Sequence, residues 1–120
     1  RGSRFAFLIG LSSLDEVHNS YLKVRNILAT QLNCKVKKFV CDGHSTYTST
    51  KMTKTFDDDG TLLHVRAPYC PEMNGLAERR GRTTLEMGRT LMIQSGVPAN
   101  CWEDAVLHAN YVRNRVPTRA

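Results

Sequence analysis

The chain has 120 residues, of which 41% are hydrophobic and 23% charged, a balance that suits one soluble globular domain over 1–120 and excludes a disordered tail. A formal charge of +6 and a pI near 9.4 favour a polyanionic partner, nucleic acid before membrane, because phosphates attract clustered Lys and Arg without any sequence code. The apolar runs are far too short to span a bilayer, and Cys34, Cys41, Cys70 and Cys101 form no CxxC pair and follow no secretory signal, so reduced thiols in an intracellular protein are expected.

"RFAFLIGL", Arg4 to Leu11, is short, apolar and aromatic-rich, and reads as a buried strand. "SSLDEV" then offers Ser12 or Ser13 as N-cap, with Asp15 or Glu16 three residues on in a capping-box pattern. Val17, Tyr21, Val24 and Leu28 recur at i, i+4, i+7 and i+11, which predicts an amphipathic helix over 14–32. "CKVKKFVCD" is a second strand that ends at Asp42. Residues 43–60 are polar, with a short helix or loop around Thr50 to Phe56, and "FDDDG" reads as a solvated turn.

"TLLHVRAPY" predicts a third strand running into a Pro-bounded loop. A long helix starts near Asn74 and stops at "SGVP", where Gly96 can take the left-handed cap and Pro98 forbids continuation. A last helix has Asn100 as N-cap and Trp102, Val106, Ala109 and Val112 on one face. The strand–helix–strand order indicates an α/β layered fold.

Two carboxylates stand out by position. Asp42 ends an apolar strand, where open α/β sheets hold their reacting groups, and Glu78 lies in the first turn of the long helix. Carboxylates from a strand end and a helix can share divalent cations that serve phosphoryl transfer, and Mg²⁺ needs only one or two of them. Helical geometry puts Glu78, Arg82, Leu85 and Arg89 on one outward face, as a phosphate-binding helix would have it. Leu76, Thr83, Thr84, Met87 and Leu91 lie opposite and pack inward, with Arg80 an intruder among them. From spacing alone, an ordinary Glu78–Arg82 ion pair explains the same residues.

"APYCPEMNGLAERRGRTTLEMGRTLM" and "VPANCWEDAVLHANYVRNRVPTRA" together resemble the catalytic core of integrases from copia-type LTR retrotransposons. The resemblance rests on a Pro-Tyr-x-Pro-x-x-Asn-Gly-x-Ala-Glu-Arg block at Pro68 to Arg79, a helix block at Arg82 to Arg89, and a third block at Trp102 to Pro117. It covers most of residues 66–120, and upstream "SLDEVHNSYLKVRNIL" and "VKKFVCDG" resemble the family's first core helix and the strand of its second catalytic acid. The resemblance implies an RNase H-like three-layer α/β/α fold, two Mg²⁺ or Mn²⁺ ions, and 3′-end processing and strand transfer of element DNA into target DNA in the nucleus. Asp42 and Glu78 would be the second and third catalytic, metal-binding acids. Asn74, Arg79, Arg82 and Arg89 would meet nucleic acid, and no small-molecule substrate is implied.

Two departures bear on activity. One strand, not two, precedes the first helix, so the family's first-strand Asp has no counterpart, and the fold is expected to be truncated at its N-terminal strands and inactive alone. The Asp-Asn-Gly-Gly-Glu pattern that follows the family's second acid reads "DGHST", with His44 in place of a glycine. Two other readings remain, a non-catalytic nucleic-acid-binding module and a protein-interaction module that keeps the fold. The sheet's exposed edge would be a site for homo-oligomer formation. Lys35, Lys37 and Lys38 read equally as DNA contacts or as guards of that edge. A zinc site from Cys41, His44, His64 and Cys70 is the weaker reading, since strand and loop positions do not converge. Trp102 and Tyr111 read as core rather than as a base-stacking platform.

Overall fold

A computed structural model describes residues 4–67 and 71–117, with 71–74 described in their backbone alone. The chain is α/β and forms two compact units, Leu11–Cys70 and a second made of Arg1–Gly10 with Pro71–Ala120.

The Leu11–Cys70 unit begins with α1, Glu16–Leu32. Its N-cap is Asp15, with no side-chain cap bond, so neither predicted serine closes the capping box. The Glu16 side chain instead accepts from the Ser12 N–H through Oε2 at 3.1 Å. The helix stops where Asn33 turns left-handed at φ 50°, a conformation that asparagine tolerates better than most residues. Val17, Tyr21, Val24 and Leu28 are all half-buried along one face.

Strand β1, Lys38–Cys41, pairs in parallel with β2, Leu62–Val65, through α2, Thr50–Asp59. A parallel pair needs such a crossover, because no tight turn can join strands that run the same way. Ser49 caps α2 through its side chain, accepting from Met52 N, and Gly60 at φ 70° ends it. The "FDDDG" stretch is therefore the last helical turn and its cap rather than a free turn. Three aspartates at a helix C-terminus oppose the dipole. Asp59 is compensated by Arg25 Nη1 at 2.8 Å, an exposed pair worth under about 1 kcal/mol.

Between these elements lies an aromatic core. The Phe56 ring sits 5.2 Å from Tyr21 at 79° and 5.0 Å from Phe39 at 31°. Tyr21 meets Phe39 edge-on at 5.5 Å. Met52 and Phe56 are fully buried. Polar groups at the margin are satisfied by Thr61 Oγ1 donating to Val36 O at 2.8 Å and by His18 Nε2 bonding Thr55 Oγ1 at 2.8 Å.

The other unit holds α3, Pro71–Ser95, a 3-10 turn at Ala99–Cys101, and α4, Trp102–Arg113. Gly96 takes the left-handed φ of 65° as expected, with its N–H on Met92 O at 3.0 Å. Asn100 falls inside the 3-10 turn, and Cys101 occupies the α4 cap without a side-chain bond; the N-cap expected at Asn100 is displaced by that turn. The buried line of α3 runs through Thr84 and Gly88, so Leu76, expected inward, stays 63% exposed. On α4 the inward face is Val106, Ala109 and Asn110, and Trp102 stays 58% exposed. The core role expected of Trp102 and Tyr111 is thus not met.

Residues 4–11 form no strand. Their run of apolar side chains reads as a buried strand, yet Phe5, Phe7, Leu8, Ile9 and Leu11 are all exposed. Side chains of α4 take the place of a strand partner. The Ala6 N–H donates to Asn114 Oδ1 at 3.0 Å, and Ala6 O accepts from Asn114 Nδ2 at 2.8 Å and Asn110 Nδ2 at 2.9 Å. The Asn114 carboxamide meets the Ala6 peptide groups as another backbone would, which satisfies them without a ladder.

Candidate functional site

Asp42 follows β1 directly. The last rung of the sheet, Arg66 N–H to Cys41 O at 3.0 Å, holds the backbone immediately before it. Cys41 is buried and Asp42 exposed, so the chain leaves the core at this carboxylate. Its Oδ1 accepts a long 3.4 Å bond from His44 N–H, an Asx-type turn. That turn is how "DGHST" is accommodated, with His44 Nδ1 accepting from Thr46 N–H at 3.3 Å. Burial first, and then the Asp42 carboxylate, push the Cys41 thiol above its usual range, so Cys41 stays a neutral core group beside the acid.

Glu78 stands exposed on α3. It makes no hydrogen bond or ion pair with a described residue, and the ion pair that spacing offered with Arg82 does not form; among the described residues the bridge that closes is Arg25–Asp59. Arg79, Arg82 and Arg89 are exposed on the same helix, together with Leu85. One face of α3 thus presents a carboxylate and arginines to solvent, as helical spacing predicts. The Asn74 side chain, Tyr69 and Cys70 lie outside the described residues.

Asp42 and Glu78 belong to different units, and each is described within its own. Both are exposed oxygen donors with lone pairs to spare, Asp42 through Oδ2 and Glu78 through both oxygens, which is the donor type that hard divalent cations take. Among the described residues no three His, Cys, Asp or Glu side chains gather as metal ligands.

Comparison with known proteins places the sequence. The chain is 28% identical over 116 residues to the retrovirus-related Pol polyprotein from transposon RE1 of Arabidopsis thaliana, covering 97% of this chain and 8% of that protein. It is 28% identical to the Pol polyprotein from transposon TNT 1-94 of Nicotiana tabacum, over 97% of this chain and 9% of that protein. For the Pol polyprotein from transposon RE2 of Arabidopsis thaliana the identity is 26%, with 97% and 8% covered. The chain is similar to one region of retrotransposon Pol polyproteins. It spans less than a tenth of their length. No family model matches it, and none of its helices, among the described residues, is long and apolar enough to cross a membrane.

Within this Pol-like region the sequence left one group unexplained. Arg80, the intruder on the inner face of α3, donates from Nη2 to Asn114 Oδ1 at 2.7 Å and from Nη1 to Arg4 O at 3.3 Å. Burial, and then the nearby Arg113, hold its pKa below the ordinary value. Arg80, Asn110 and Asn114 together fix the Arg4–Ala6 stretch. The spacing of Asn110 and Asn114 at i, i+4 on one helix was the available signal, and it becomes informative only once a backbone lies opposite.

Proposed function

We propose that the chain is part of the catalytic core of a retrotransposon integrase, with an RNase H-like architecture, and serves metal-dependent strand transfer of DNA. The observation that carries this reading is the α3 face, where Glu78, unpaired among the described residues, is exposed beside Arg79, Arg82 and Arg89. The names of the plant relatives, Pol polyproteins of transposons, support it. Asp42 and Glu78 would hold Mg²⁺ or Mn²⁺. When bound, such a cation neutralises developing charge on phosphoryl oxygens and lowers the pKa of a coordinated water. The arginines would grip phosphate oxygens and set the position of the strand, a role that carries no sequence information by itself. Leu85, 47% exposed between them, would lie against sugar or base edges.

A second reading, nucleic-acid binding without catalysis, is favoured by the fact that this arginine face lies wholly within one unit and needs nothing from Asp42. Two measurements on the same chain separate the readings. Duplex DNA binding followed by anisotropy should weaken with salt, and the Arg82→Ala, Arg89→Ala double variant should flatten the log–log slope by about 0.9 per arginine removed. An unchanged slope would remove α3 from the interface. Mn²⁺ titrated into the chain should broaden the NMR signals of Asp42 and Glu78 and do so less in Glu78→Gln. DNA binding with no such broadening would leave the second reading standing and sink the first.

A further inference from the structure

A cavity of 660 Å³ lies in the unit built from α3, α4 and the Arg4–Leu8 stretch, within the size range of small-molecule sites. Its walls are largely hydrocarbon, from Phe5, Phe7, Leu8, Leu85 and Val106. The charged residues that line it are all arginines, and among the described lining residues there is no aspartate or glutamate.

Arg80 and Arg113 both reach this cavity. Each has a buried Nε with no hydrogen-bond partner. Arg80 spends its Nη groups on Asn114 and on Arg4 O. The Arg113 guanidinium has no hydrogen bond or ion pair with any described residue. Burial first, and then the charge of Arg113, hold the pKa of Arg80 below its ordinary value. Both residues are half-buried, and a buried N–H left without an acceptor is costly. An anionic oxygen would give these two N–H groups an acceptor.

We infer that the cavity binds a monocarboxylate with an apolar body, its carboxylate between Arg80 and Arg113 and its hydrocarbon against Phe5, Phe7 and Val106. The guanidinium fork matches a carboxylate in plane and spacing. The apolar walls select against a bare inorganic anion, which would leave them in contact with water. Arg79 and Leu85 of α3 also line this cavity, but the inference rests on Arg80 and Arg113 and does not depend on the function proposed for the exposed face.

The test titrates decanoate, below its micellisation concentration, into the whole chain by calorimetry, beside 1-decanol and inorganic phosphate. Decanoate should saturate a single site, with decanol at least tenfold weaker and phosphate weaker still. Arg113→Gln should lose at least tenfold in decanoate affinity, yet melt at the same or a higher temperature, because it removes the cation that repels Arg80. That combination distinguishes a binding residue from a structural one, whose loss would lower the melting temperature. Equal binding of decanol would overturn the carboxylate, and phosphate as tight as decanoate would overturn the apolar body. Undiminished binding by Arg113→Gln, or a fall in its melting temperature, would overturn the assignment of Arg113.

Discussion

Phe56→Ala is expected to destabilise the Leu11–Cys70 unit by about 3–5 kcal/mol, the usual cost of deleting a buried aromatic ring. Phe56 is 1% exposed and touches Tyr21 of α1 and Phe39 of β1, so its ring joins three elements of the unit. Aromatic pairs add about 0.5–1.5 kcal/mol beyond area alone, and two such pairs are lost at once. Domains are stable by only about 5–15 kcal/mol, and a unit with a two-stranded sheet has little in reserve. Phe56→Leu keeps most of the volume and should cost less than about 1.5 kcal/mol. Urea unfolding followed by far-UV circular dichroism measures both. A loss below about 1 kcal/mol for the alanine variant would mean that these rings do not form the core. The effect extends to the site, because Asp42 leaves the core one residue after buried Cys41, and its position depends on β1 staying in register with β2.

What could be read from the sequence was whatever depends on local periodicity. The face of α1 through Val17, Tyr21, Val24 and Leu28, the exposure of Glu78, Arg82 and Arg89, and the left-handed cap at Gly96 all follow from spacing or backbone preference within one element. Asp42 was legible for a similar reason, as the first acid after an apolar strand. What could not be read depends on a partner distant in sequence. "RFAFLIGL" has the composition of a buried strand, but composition does not say that Asn110 and Asn114 would take the backbone bonds of Ala6 and leave the flanking side chains exposed. Trp102 shares a helical face with Val106, yet the approach of α3 centres on Gly88 and Val106 and leaves the first turn of α4 uncovered. Arg80 looked misplaced because its acceptors, Asn114 and the carbonyl of Arg4, lie on other elements.

Gly88 carries the second large prediction, in which two opposing effects must be weighed. Alanine in a helix interior is favoured over glycine by about 0.8–1.0 kcal/mol, so on propensity alone Gly88→Ala would stabilise α3. A Cβ built there, however, would lie 2.8 Å from Val106 Cγ2, 3.1 Å from its Cα and 3.3 Å from its N. A side-chain methyl could rotate away, but the backbone of α4 cannot move without shifting the helix, and such overpacking costs about 1–3 kcal/mol. The expected result is a net loss for Gly88→Ala and a larger one for Gly88→Leu. Gly81 is the control, since an added Cβ meets nothing within 4 Å, and Gly81→Ala should raise stability by about 0.5–1 kcal/mol. Thermal unfolding of the two alanine variants should therefore move in opposite directions. If both rise, α3 and α4 do not meet as closely as Gly88 and Val106 require. If only Gly81→Ala rises, the glycine is what lets α4 seat against α3, with Arg80 in reach of Asn114 on one side and the Glu78, Arg82 and Arg89 face left free on the other.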